Sequence, residues 1–143
     1  MRTHVRFRSE LFRPLKPEDQ QVNPGVHGEE LAKWIRDRIG THGLDAQDHF
    51  GEDWGWMVVF GRDFPGWIGC ANVTGEDDQW VCFCQVHRSL TDRLLGRAAS
   101  TESLHKTITA LASTLGSEPR ISDLEWFSTD SRGREYDHAP TPG

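Results

Sequence analysis

Glu52-Asp53-Trp54-Gly55-Trp56-Met57-Val58-Val59-Phe60 is the most informative stretch of this 143-residue chain. Trp54, Trp56, Val58 and Phe60 recur with a period of two, which reads as one bulky apolar face of a strand. Met57 and Val59 make the other face apolar as well, the pattern of a strand inside a sheet. Downstream, Gly61-Arg62-Asp63-Phe64-Pro65-Gly66 is dense in turn formers and leads to a second apolar run, Trp67 to Val73. Thr74-Gly75-Glu76-Asp77-Asp78 is another turn. Beyond it Trp80, Cys82, Cys84 and Val86 share one face of a third strand, with Val81 and Phe83 on the other. The three together predict an antiparallel meander.

Working outward, Val5 and Phe7 alternate with Arg6 and Arg8, the pattern of a half-buried first strand. Pro14 and Pro17 exclude regular pairing, and a loop is expected to run to Pro24-Gly25. Leu31, Ile35 and Ile39 are then spaced by four, with Ala32 and Trp34 beside them, which predicts an amphipathic helix. Its early glutamates and later arginines suit the helix dipole, and Gly40 or Gly43 is placed to end it. Leu44 to Gly51 reads as a polar connection. From His87 to Ala99 the leucines allow a helical turn that Gly96 interrupts. Ser100 or Thr101 can cap a second helix carrying Leu104, Ile108, Leu111, Ala112 and Leu115, with Gly116 at its end. Leu124 and Trp126 mark a last strand over 121–127, and the Gly, Pro and charge content of 128–143 predicts a loosely ordered tail. The expected fold is therefore α+β, a single domain over 1–127. It runs strand, helix, three-strand meander, helix, strand, with both helices on one face of an antiparallel or mixed sheet.

Composition narrows the function classes. Twenty-two acids against 16 Lys and Arg give a net charge of −6, which opposes undirected binding to nucleic acid or anionic membrane and favours a basic partner. Arg2, Arg6, Arg8, Arg13 and Lys16 gather at the N-terminus, where pairing with the chain's own acids is the expectation. The N-terminus lacks a signal-peptide pattern, and no run approaches the ~20 apolar residues of a membrane span. The expected setting is cytoplasmic. Three cysteines, two of them inside a strand pattern, read as small buried hydrophobes. A zinc site at Cys82, Cys84 and His87 is disfavoured, because the alternation sends His87 to the other face and no second Cys/His pair lies nearby. No calcium loop, Walker loop, dinucleotide fingerprint or Gly-x-Ser-x-Gly elbow occurs, and Asp48-His49 has no Ser or Cys partner. No cofactor or metal is expected, and catalysis has no positive support.

In a meander the start of the first strand, the end of the second and the start of the third share one end of the sheet. Glu52 and Asp53 should therefore lie beside Glu76, Asp77 and Asp78, with Asp45 and Asp48 leading into the same end. Such a cluster is a solvated rim, or a docking surface in which Trp54 and Trp67 serve as aromatic anchors. The expected partner-binding residues are Asp48, Glu52, Asp53, Trp54, Trp67, Glu76, Asp77 and Asp78. Size, charge and fold class favour a small acidic binding protein, for example a bacterial immunity-type protein or inhibitor that neutralises a basic toxin or nuclease. One alternative is a small-molecule-binding or enzymatic domain with a pocket lined by Trp34, Trp56, Trp80 and Trp126. Another is a structural homodimer built through a sheet edge.

Overall fold

The computed structural model describes residues 1–12 and 28–143; the expected loop from Pro14 to Gly25 and the basic residues Arg13 and Lys16 lie outside them. The strands are β1 (His4–Arg8), β2 (Ala46–Glu52), β3 (Gly55–Phe60), β4 (Gly66–Asn72), β5 (Gln79–Val86), β6 (Ser122–Thr129) and β7 (Glu135–Ala139). The helices are α1 (Glu29–Arg38), the short α2 (Leu90–Leu94) and α3 (Thr101–Gly116), with a 3-10 turn over Ile39–His42. All strands belong to one sheet in the order β2-β3-β4-β5-β1-β6-β7, and every neighbouring pair is antiparallel. The domain is α+β, as the periodicities predict, but the sheet is wider by two strands. None of the described helices is long and apolar enough to cross a membrane.

The meander forms as β3, β4 and β5, in a register that aligns Trp56 with Cys70 and Cys70 with Cys82. The first strand slots between β5 and β6, so the two ends of the chain close the sheet together. α1 buries Leu31, Ala32, Trp34 and Ile35, and Gly43, at φ 100, caps the 3-10 turn that follows it. α3 starts where the Ser103 N–H donates to the Ser100 hydroxyl (3.1 Å). It buries Ile108, Leu111 and Leu115. Two buried threonines on its inner face, Thr107 and Thr114, satisfy their hydroxyls by donating to carbonyls four residues back. Both long helices pack on the sheet face of Val5, Phe7, Trp56, Val58, Ile68, Cys70, Trp80, Cys82 and Trp126, which together form one core. Trp80 sits at its centre, fully buried, and its indole N–H donates to the Ser9 carbonyl (3.1 Å). The three cysteines are free and buried in this layer, where burial first, then the neighbouring thiol of Cys70, pushes Cys82 well up.

Two expectations are corrected. Residues 46–52 are not a loose connection but the edge strand β2, running back along β3 from the Glu52–Gly55 hairpin. Residues 128–143 are not a loose tail. The end of β6 and all of β7 lie there, and the Arg2 N–H donates to the Pro142 carbonyl (2.7 Å) while its guanidinium binds Asp137 (3.0 Å). Between His87 and Ala99 a single short helix forms, α2, opened by a Ser89–Asp92 capping box and followed by Gly96 at φ 68.

Candidate functional site

With α1 and α3 on one face, the pleat leaves the alternate residues of each strand on the other, and register aligns them into a row. Phe50 of β2 pairs with Met57, Met57 with Gly69, Gly69 with Phe83, Phe83 with His4 and His4 with Phe127. At a strand spacing of ~4.8 Å this row spans roughly 24 Å. Gly69 is the gap that lets the row close over itself: a Cβ there would overlap the ring of Phe83, which lies across it. Trp54 leans onto the same ring (centroids 5.1 Å) and onto Trp67 (6.1 Å), while Trp67 meets Phe83 edge-on (5.6 Å) and stacks on His87 (5.8 Å). His87 therefore lies opposite the buried cysteines, as the alternation predicts.

The two halves of this face differ. On the β1-β6-β7 side the aromatic surface is sealed. Arg6 lies 4.8 Å over Phe127, with His4 and His138 packed against the same ring, leaving Phe127 only 2% exposed. Arg6 bridges Glu125 (3.1 Å) and Glu135 (2.8 Å), Arg8 binds Asp78 (3.1 Å), and Arg2 holds Asp137. Arg2, Arg6 and Arg8 are thus matched by the chain's own acids. Burial between Phe83 and Phe127 pushes the His4 imidazole below its ordinary value, against an upward pull from Glu135. The hydrogen bond from Arg6, ahead of that from His138, takes the Glu135 carboxyl from its ordinary 4.5 down to about 2. A depressed folded pKa stabilises above the unfolded value and loses that contribution as pH falls through the folded one. Urea unfolding should therefore show a loss of stability between pH 4.5 and about 2 that Arg6→Ala flattens; an identical pH profile in the variant would contradict the pairing.

On the β2-β5 side the surface is open. Trp54 is 44% exposed and Phe50 49%. Asp48 and Glu52 flank Phe50 on the same side of β2 by alternation, and Asp53 occupies the adjoining turn. Glu52, Asp53, Glu76 and Asp77 form no ion pair among the described residues.

Of the residues the sequence puts forward, the register brings the 52–53 and 73–78 turns to one end of the sheet. Trp54 is not on the face of Trp56. The strand begins at Gly55, so Trp54 belongs to the turn and crosses to the open side, where it meets Trp67. Asp45 lies at the opposite end, because β2 runs back along β3 until Ala46 meets Phe60. Asp48 is likewise withdrawn from the turn: it pairs with Val59, roughly 13 Å from Glu52 along the strand. Asp78 is neutralised by Arg8, and Glu76 is held in a turn shaped by Asn72, whose amide donates to the carbonyls of Glu76 (2.7 Å) and Gln79 (2.8 Å).

Sequence reasoning missed Phe50, Met57, Phe83, His4 and Phe127 as one surface. Met57, Phe83, His4 and Phe127 are visible on the minor faces of strands, Phe50 is not because its segment reads as a polar connection, and only register lines the five up. The four tryptophans proposed for a pocket are all buried on the helix side. The indole N–H groups of Trp34 and Trp56 find no acceptor among the described residues. The two described clefts, the larger about 500 Å³ and lined by residues including Arg8, Glu10, Asp78 and Arg120, involve none of the four.

Comparison with known proteins finds no family model that matches the chain, and no curated protein or solved structure that it significantly resembles.

Proposed function

We propose that this protein is a binding module that captures a cationic protein on the open β2-β5 half of its sheet face, and that it acts as an immunity-type inhibitor of a basic toxin or nuclease. The observation that carries the reading is Trp54: a large aromatic group held out of the core, packed on Trp67 and Phe83 and still 44% exposed. Keeping such a group in water forfeits burial energy that the core offers, whereas a partner that covers it recovers that energy, and exposed tryptophans at the centre of a patch are the usual anchors of binding. Glu52 and Asp53 beside it, which form no ion pair among the described residues, supply attraction for positive charge. Net charge of −6 acts in the same direction at longer range.

The test is co-expression with a cationic toxin encoded beside its gene. The intact chain is expected to restore growth and to co-purify with the toxin, and Trp54→Ala/Trp67→Ala is expected to abolish both while retaining its circular dichroism spectrum. A folded double variant that protects as well as the parent would place the docking surface elsewhere. An intact chain that neither binds nor protects would remove the inhibitor reading.

A further inference from the structure

The segment that joins β5 to α3 carries an apolar surface on which the docking reading makes no demand. Leu90, Leu94 and Leu95 are more exposed than any other large hydrophobic side chain among the described residues, Leu94 at 77%. Leu90 and Leu94 are four apart in α2, so they share one side of the helix, and Leu95 follows directly. A helix of five residues does not hold itself together in water. Here the support is polar. The Ser89–Asp92 capping box opens the turn, the Arg88 guanidinium donates to the Arg97 carbonyl (3.0 Å), and the Arg97 side chain reaches Asp92 (3.4 Å). The segment is thus tied to itself while its leucines are left in water. Large apolar groups clustered outward on an ordered support mark a contact surface. Its border is basic: Arg97 pairs with Asp92, which leaves Arg88 and Arg93 without a carboxylate partner among the described residues.

We propose that this surface docks on the open β2-β5 half of a second copy of the chain, so that copies join head to tail. The inference rests on the reading of the open half as a docking surface. That half displays Phe50 and Trp54 beside Glu52 and Asp53, an apolar centre with an acidic border, and α2 displays an apolar centre with a basic border. Each supplies what the other lacks: leucines to cover the aromatic rings, and arginines opposite carboxylates. One molecule does not bring the two together. α2 follows the end of β5 where Val86 pairs with Gly66, whereas Glu52 and Asp53 lie where β3 begins, roughly 17 Å away along that strand. Because the two surfaces differ, the contact is heterologous: each copy that joins presents one free surface of either kind, and growth continues unless the row closes into a ring. An anionic lipid surface suits the same leucines and arginines, but it leaves the acids and rings of the open half uncovered, whereas a second copy covers both surfaces in one contact. Head-to-tail pairing also masks the open half of every copy but the last, so a cationic partner and a second copy compete for it.

The test is sedimentation velocity on the intact protein at about 0.15 M salt, where a screening length of about 8 Å damps the repulsion between like net charges and leaves pairs in contact. The parent is expected to sediment progressively faster between about 10 µM and about 1 mM, and to pass beyond a dimer, as a small interface allows. Leu90→Gln/Arg93→Glu/Leu94→Gln removes one surface and Glu52→Lys/Asp53→Lys the other. All five side chains belong to exposed residues, and circular dichroism checks that each variant is folded. Each variant alone should stay monomeric, whereas an equimolar mixture should form a dimer and stop there, because only one complementary junction remains. A parent that stays monomeric at about 1 mM, a parent that stops at a dimer, a variant that assembles like the parent, or a mixture that does not pair would each overturn head-to-tail docking. Vesicles of phosphatidylserine and phosphatidylcholine that bind the parent but not the α2 variant, with no assembly in solution, would overturn it in favour of a lipid surface. Co-expression judges the inhibitor reading separately: failed assembly with protection intact removes only the head-to-tail contact, and failed protection by the parent removes the inhibitor reading.

Discussion

Gly55→Ala is expected to cost this protein about 3 kcal/mol, a large share of the roughly 5–15 kcal/mol that holds a domain of this size together. Gly55 is buried at the first position of β3, where a Cβ would overlap the carbonyl oxygen of Cys70 and stand 3.2 Å from the Cβ of Ala71. Neither neighbour can swing aside, since one is backbone and the other is a methyl fixed to it. Gly28, at φ 119, approaches the same carbonyl from the N-terminus of α1, where a Cβ would stand 3.0 Å away. The peptide of Cys70 is thus confined between two glycines, and relief requires β3 to part from β4 with loss of ladder hydrogen bonds of about 1 kcal/mol each. The urea midpoint should fall by about 1–3 M, given slopes of roughly 1–3 kcal/mol/M for small domains. Gly61→Ala is the control: a Cβ there meets nothing within 4 Å, and the change should stay within about 0.5 kcal/mol. Equal midpoints for the two variants would show that the β3-β4 approach is not tight.

The parts of the fold that the sequence made legible are those in which burial imposes a period. Trp56, Val58, Ile68, Cys70, Trp80 and Cys82 alternate because every second residue enters the core, and Leu31, Ile35, Ile108, Leu111 and Leu115 recur at helical spacing for the same reason. β2 and β7 left no such trace. Each is an edge strand, Phe50 is the one bulky apolar side chain in β2, and all of β7 from Glu135 to His138 is exposed. The place of β1 between β5 and β6 is a matter of pairing, which periodicity does not encode. The candidate site was half legible for a related reason. Strand alternation forecasts that Glu52, Asp53, Glu76 and Asp77 share an end of the sheet. It misplaces Trp54, because a turn residue escapes alternation, and it misplaces Asp45 and Asp48, because a loop and a returning strand have the same polar composition. The row from Phe50 to Phe127 exists only once six strands are in register.

Reversing the acids of the open half is expected to have the largest effect on association. Asp48→Lys, Glu52→Lys and Asp53→Lys each add two charges, so together they move the net charge from −6 to 0. They also place three cations around Phe50 and Trp54. Steering by a charged surface is worth about 10–10³ in on-rate, and about 10–100-fold should be lost here at low ionic strength. Near 1 M salt, where the screening length is about 3 Å, the reversed and parent proteins should associate at similar rates. Trp54→Ala acts differently. An anchor worth about 2 kcal/mol or more should raise the dissociation rate by about 30-fold and leave the on-rate nearly unchanged. The decisive measurement is stopped-flow association of the parent and the triple reversal with the cationic partner recovered by co-expression, followed across ionic strength. The account predicts a steep salt dependence for the parent that the reversal removes; superimposable rates for the two proteins at every salt concentration would contradict it.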